Sequence, residues 1–253
     1  MVYIHHMVQG LSQQWEAYEP HHHQTWEKLY GRQRKNLTGK ASDLYLTCLD
    51  KMKDSLTSNL VPRVDAMEEE LRTATGWRLK VVPGLIPVQD FFELLAARKF
   101  CTSTWVRQPH QLDYIEEPDM FHDTFGHIPP LLNQDFAAFM NRFGEIGVAL
   151  IRAGHDEAVL GLQRLYWYVV EFGFLKNPEG EAKVFGAGIM SSFGETEYAW
   201  SRRFKLRPFE LNRVMETSFR TDEIQQEYFV LNDLVQLRLE LNGWFDQFGL
   251  SHG

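Results

Sequence analysis

His122 and His127 stand five positions apart in the run Glu117-Pro118-Asp119-Met120-Phe121-His122-Asp123-Thr124-Phe125-Gly126-His127-Ile128-Pro129. Glu171 follows inside Tyr166-Trp167-Tyr168-Val169-Val170-Glu171-Phe172-Gly173. Two imidazoles and one carboxylate are the ligand set that holds one face of a non-haem Fe(II) and leaves the other positions open for oxygen and substrate. The spacing sets a geometric condition. On an ideal α-helix five residues turn through roughly 500°, so the two histidines would diverge by about 140°. A zinc-protease pair uses i and i+4 on one face with a glutamate between them, whereas Asp123 follows the first histidine here. Gly126-His127-Ile128-Pro129-Pro130 is expected to end the helix, since proline cannot continue it. His122 would then project from the helix and His127 from its unwinding end. Glu171 lies among Val169, Val170, Phe172 and Phe174, where an isolated buried charge costs several kcal/mol even after relaxation. A divalent metal would satisfy it. Taken alone, the same residues also fit a glutamate that faces solvent from an otherwise buried helix.

The elements that must bring these side chains together can be read from pattern. Residues from about Ser42 to Ala74 are predicted helical, with Leu44, Leu46, Cys48, Leu49 and Met52 as an apolar stripe. Val81-Val82-Pro83-Gly84-Leu85-Ile86-Pro87 is predicted to be a fixed loop. A helix carrying Phe91, Leu94, Leu95 and Ala96-Ala97 follows it. Further helices are predicted over Phe136 to Ile151 and Leu160 to Phe174. Gly186 to Gly194 reads as a loop opening into a helix, and Ile224 to Phe248 as a terminal helical pair. No repeat, low-complexity tract or linker divides the chain. The expectation is one mainly α domain with few short strands wrapped around a pocket, residues 1–80 being its N-terminal helical part and 81–253 its core.

Composition narrows the function classes. The 253 residues are 44% hydrophobic and 24% charged, ordinary values for a globular protein with a buried core. A formal net charge of −8 argues against a nucleic-acid surface. Two cysteines, Cys48 and Cys101, are too few for a disulfide framework or a cysteine metal cluster and suit a reducing cytoplasm. The start, Met1-Val-Tyr-Ile-His-His, does not read as a signal peptide. No apolar run approaches the roughly 20 residues needed to span a bilayer. The run His21-His22-His23 is expected to be solvated, and His5, His6, His155 and His252 suggest no site.

Three stretches taken together, Glu117 to Pro129, Tyr166 to Gly173 and Phe185-Gly-Ala-Gly-Ile-Met-Ser-Ser-Phe-Gly-Glu195, resemble the pterin-dependent aromatic amino acid hydroxylases. The likeness runs from roughly Val82 to Val235 and is strongest to the short bacterial phenylalanine 4-hydroxylases. It implies that His122, His127 and Glu171 are iron ligands. It implies that Arg107 clamps the substrate carboxylate, with Asp119 orienting it, and that Trp167 and Ser191 line the amino-acid pocket. Phe91 is implied to stack on the pterin, Gly84 and Ile86 to contact it through backbone groups, and Asp123 to lie near it. By composition alone Arg107 would be a solvated arginine, Trp167 and Phe91 core residues, and Asp123 a helix-surface acid. Cys101 occupies the place of a histidine in the animal enzymes.

The reaction so implied uses Fe(II), tetrahydropterin and oxygen to hydroxylate an aromatic amino acid. Trp167 suits phenylalanine or tyrosine as substrate, because the tryptophan enzymes carry phenylalanine there. In Phe219-Arg220-Thr221-Asp222-Glu223 the tyrosine enzymes place an aspartate where the register puts Thr221, with Asp222 adjacent. L-Phenylalanine is the favoured substrate, with tyrosine or tryptophan as alternatives. A zinc hydrolase on the same ligands, with Asp123 as base, and a non-catalytic scaffold are the competing classes. The resemblance further implies a stand-alone catalytic domain acting as a monomer, and the cysteine usage implies a cytoplasmic setting.

Overall fold

In this computed structural model the described residues are 11–113, 115, 117–201, 204–221 and 223–250. Helix α1 (Pro20–Asn36) starts with proline, whose missing N–H has no helical acceptor to lose at that position. The Glu19 N–H donates to His22 Nδ1 at 3.0 Å and the Val61 N–H to His23 Nδ1 at 3.1 Å. These two histidines are therefore half-buried acceptors rather than solvated side chains, and burial lowers the pKa of both.

The single helix expected from Ser42 to Ala74 is two, α2 (Asp43–Lys51) and α3 (Val64–Thr75). The break between them holds Ser55, Ser58, Asn59 and Pro62. The short polar side chains compete for backbone groups and proline has no N–H to continue a helix. Strands β1 (Arg78–Val81) and β2 (Lys99–Thr102) pair in parallel around α4 (Val88–Ala96), leaving the loop 82–87 over the start of that helix. Helix α4 lies on α5 (Gln134–Arg152). A Cβ at Gly147 would stand 2.1 Å from the Phe92 ring, so glycine is required for the approach.

Helix α6 (Asp156–Leu165) leads into the Glu171 segment, and Phe174, expected to be helical, already begins β3 (Phe174–Lys176). Then come β4 (Ala182–Val184), α7 (Ala187–Ser191), α8 (Phe193–Ser201), β5 (Lys205–Pro208), α9 (Leu211–Glu216), β6 (Glu227–Leu231) and α10 (Leu234–Asp246). The sheet order is β4-β3-β6-β5, antiparallel only between β3 and β4. Two expectations change here. Part of the Gly186–Gly194 loop is helical, and the first half of the terminal helical pair is the central strand β6. Tyr228, Phe229, Val230 and Leu231 are buried there, and a short apolar run reads alike in a buried strand and a buried helix.

One apolar core joins these parts. Trp26 of α1 meets Phe121 edge-on at 5.3 Å, and the Tyr45 hydroxyl of α2 donates to the Phe125 carbonyl at 2.5 Å. Burying such rings stabilises by about 1.5–3 kcal/mol each. The N-terminal helices thereby press directly on the histidine-bearing segment. The architecture is the mainly α single domain with few short strands that the pattern predicts. Among the described residues no helix is long and apolar enough to cross a membrane.

Candidate functional site

Both ligand-bearing segments are wound as π-helices, His122–His127 and Tyr166–Glu171. A π-turn bonds i to i+5 and is wider than an α-turn, so residues five apart come onto the same side. The Phe172 N–H, for example, donates to the Trp167 carbonyl at 2.9 Å. The five-residue spacing is thus met by widening the helix, not by unwinding its end. Pro129 and Pro130 enter only afterwards, in the 3-10 turn Pro129–Leu132.

The result is convergence. His127 Nε2 lies 3.2 Å from His122 Nε2 and 3.1 Å from Glu171 Oε1, and His122 Nε2 lies 3.7 Å from Glu171 Oε2. Ligand atoms about 2.1 Å from one metal and at right angles to one another stand about 3 Å apart, so the donor set fits a facially bound ion. Among the described residues this is the group of histidine, cysteine and acidic side chains whose ligand atoms could hold a metal.

The electrostatics suit that role. Burial pushes the His122 imidazole down to about 4, so the ring is neutral with a lone pair to offer. Burial alone would raise the Glu171 carboxyl, but His127, His122 and the Gly188 N–H outweigh it and hold the group below its ordinary value. Ser191 Oγ donates to the Ala187 carbonyl at 2.9 Å and lies 2.8 Å from His122 Nδ1. With its proton committed, the hydroxyl accepts from Nδ1–H, which turns the Nε2 lone pair toward the metal position. A Cβ at Gly186 would stand 2.3 Å from the Glu171 carbonyl oxygen, so α7 can lie against Glu171 only with glycine there.

Arg107 is buried, not solvated, and Asp119 is fully buried behind it. Nε and Nη2 of Arg107 donate to the two Asp119 oxygens at 2.8 Å each, the planar two-point pairing that guanidinium favours. Asp119 also accepts from the Arg107 N–H at 3.1 Å and the His122 N–H at 3.0 Å. One carboxylate thereby ties the arginine to the first histidine.

Two cavities meet at the triad. One, of about 330 Å³, is lined by Gly84, Ile86, Phe91, Cys101 and Asp123. The other, of about 520 Å³, is lined by Arg107, Ser191, Glu195 and Thr221. His122, Glu171, Tyr166 and Trp167 border both. Gly84, Ile86, Phe91 and Asp123, read as pterin-contacting, thus line only the first cavity and Arg107 and Ser191 only the second, while Trp167 borders both and Asp119 lines neither. Asp123 accepts from the Ser103 N–H at 2.7 Å, and burial raises its carboxyl to about 6. Phe91 meets Tyr166 edge-on at 5.2 Å. Trp167 stacks on Phe219 with ring centres 4.5 Å apart. Thr221 reaches the larger cavity; Asp222 lies outside the described residues.

Sequence reasoning gave no role to Tyr166, which borders both cavities together with Glu171. The available signal was its position five residues before Glu171, the same offset that relates the histidines. Gln225, which bonds Trp167, had no comparable signal, because it arrives through the return of a distant loop.

A family model described as biopterin-dependent aromatic amino acid hydroxylase matches residues 10–250. The chain belongs to that family. It is 42% identical over 228 residues to a phenylalanine-4-hydroxylase of Chromobacterium violaceum, covering 90% of this chain and 75% of that one. It is 44% identical over 216 residues to one of Ralstonia nicotianae, covering 85% and 67%. A crystal structure of the Chromobacterium violaceum enzyme with bound iron(III) and 7,8-dihydrobiopterin superposes with a TM-score of 0.86 at 41% identity, covering 94% of this chain and 86% of that one. A tyrosine 3-monooxygenase of Schistosoma mansoni is 31% identical over 230 residues, 90% of this chain and 48% of its own.

Proposed function

We propose that this hydroxylase converts L-phenylalanine to L-tyrosine with Fe(II), a tetrahydropterin and O2. The observation that carries the reading is the partition itself, a three-ligand metal position forming the common wall of an aromatic cavity and a cavity with a buried arginine. Iron and pterin supply the oxygen chemistry when bound. The chain supplies position, neutral ligands and exclusion of water.

His122, His127 and Glu171 hold the iron by one face and leave the other positions open to both cavities. Arg107 receives the amino-acid carboxylate, its fork kept planar and aimed by Asp119, which already binds Nε and Nη2. Ser191 holds His122 in the ligating tautomer and lines the same cavity. Trp167 packs on the substrate ring; such a pair adds about 0.5–1.5 kcal/mol beyond area burial. Across the triad, Phe91 stacks on the pterin, Gly84 and Ile86 present backbone groups to it, and Asp123 faces it. Identities of 40% and above to bacterial phenylalanine-4-hydroxylases favour phenylalanine over the tyrosine or tryptophan alternatives. The same reading treats residues 1–80 as the helical part of one domain with the 81–253 core, and the protein as a cytoplasmic monomer, which size-exclusion chromatography checks.

The test is product analysis of the Fe(II)-loaded protein with oxygen, tetrahydropterin and each aromatic amino acid in turn. Tyrosine forms from phenylalanine, and none forms with Glu171→Ala. Absence of hydroxylated product from all three amino acids would sink the reading.

A further inference from the structure

Trp167 borders both cavities, and packing alone does not set its orientation. Its indole N–H donates to Gln225 Oε1 at 2.9 Å. The amide of Gln225 donates in turn to the carbonyl of Arg220 at 2.8 Å and of Glu223 at 3.1 Å. Gln225 is 6% exposed, so its acceptor and both donors are spent inside the protein. The turn it grips carries Phe219, stacked on Trp167 with planes 13° apart, and Thr221, which reaches the larger cavity. One buried side chain therefore joins the indole, the ring stacked on it and the threonine beyond into a single wall.

We propose that Gln225 is the positioning residue of the amino-acid cavity. It fixes the rotation of Trp167 and the height of the Phe219–Thr221 turn, and so sets how the substrate ring stands relative to the metal position. This rests on the hydroxylase reading above. Gln225 touches neither substrate nor cofactor and acts through Trp167. Its loss lets the indole turn and the wall recede, so phenylalanine is held less well and pterin oxidation runs ahead of product. Trp167 and Phe219 also border the smaller cavity, but its walls at Gly84, Ile86 and Phe91 come from other segments and keep their places.

A double-mutant cycle on the iron-loaded enzyme tests this, using Gln225→Met, Trp167→Phe and the pair. Gln225→Met raises the KM for phenylalanine about tenfold, the loss expected of one buried hydrogen bond. It also lowers tyrosine formed per pterin oxidised, and moves the pterin KM less than the phenylalanine KM. In the Trp167→Phe background, which has no indole N–H to hold, the same substitution has a markedly smaller effect, as coupled residues require. Equal effects in both backgrounds, or a proportional loss in every constant together with a lowered Tm, would make Gln225 merely structural and overturn the proposal. Should Gln225→Met not fold, Gln225→Leu, which also loses the indole acceptor, enters the same cycle with the same deciding outcomes. Wild-type enzyme separates the two claims: no tyrosine from it overturns the hydroxylase reading, whereas tyrosine with an additive cycle overturns only the role of Gln225.

Discussion

The two cavities share a wall but are built by opposite means. The smaller is walled by Phe91, Tyr166, Phe100 and the backbone of the 84–86 loop, surfaces that hold a flat ring by area and stacking. The larger is organised around Arg107, whose Nε and Nη2 are engaged by the buried Asp119, and hydroxyls such as Ser191 and Thr221. Stacking tolerates variation in the ligand, whereas a planar two-point cation does not. The difference teaches that one side suits a ring held by shape and the other a group held by charge, with Glu171 and His122 presented to both.

The largest effect should come from the shared wall. Glu171→Ala removes a ligand common to both sides and abolishes hydroxylation, with loss of bound iron measured by metal analysis. If hydroxylation persisted, the wall would not be the reaction centre. Next is the charged side alone. Arg107→Lys keeps the charge but loses the fork, and should raise the phenylalanine KM by about 10- to 100-fold, the worth of a hydrogen bond to a charged group. A pterin KM that moved with it would break the partition. Ser191→Ala leaves His122 without its outer partner and should weaken iron binding by about tenfold, read by metal titration. The smallest effect belongs to the stacking side. Phe91→Ala should raise the pterin KM by about two- to tenfold, as loss of one aromatic contact allows, and leave the phenylalanine KM alone.

The chemistry was largely legible in residue types. His122, His127 and Glu171 could be grouped as a donor set by residue type, whereas Arg107 was singled out only by the family resemblance. Geometry was less legible. A five-residue offset reads as divergence on an α-helix, and only the π-winding of both segments turns it into convergence. Strand β6 reads as helix from sequence because a fully buried apolar run carries no period that separates the two. The helix expected over Ser42 to Ala74 breaks at Pro62 and the polar residues before it, whose side chains and missing N–H oppose helix.

Sequence by itself determined the donor set, the mainly α character and the presence of an arginine and an acid twelve positions apart that could pair. Tertiary structure decided that Asp119 is buried behind Arg107, that Ser191 from α7 meets His122, and that Gln225 returns from a distant loop to Trp167. The physical reason is the range of the forces. Coordination chemistry and helix propensity belong to single residues and their neighbours, whereas burial and hydrogen-bond satisfaction depend on which segments the closed core brings together.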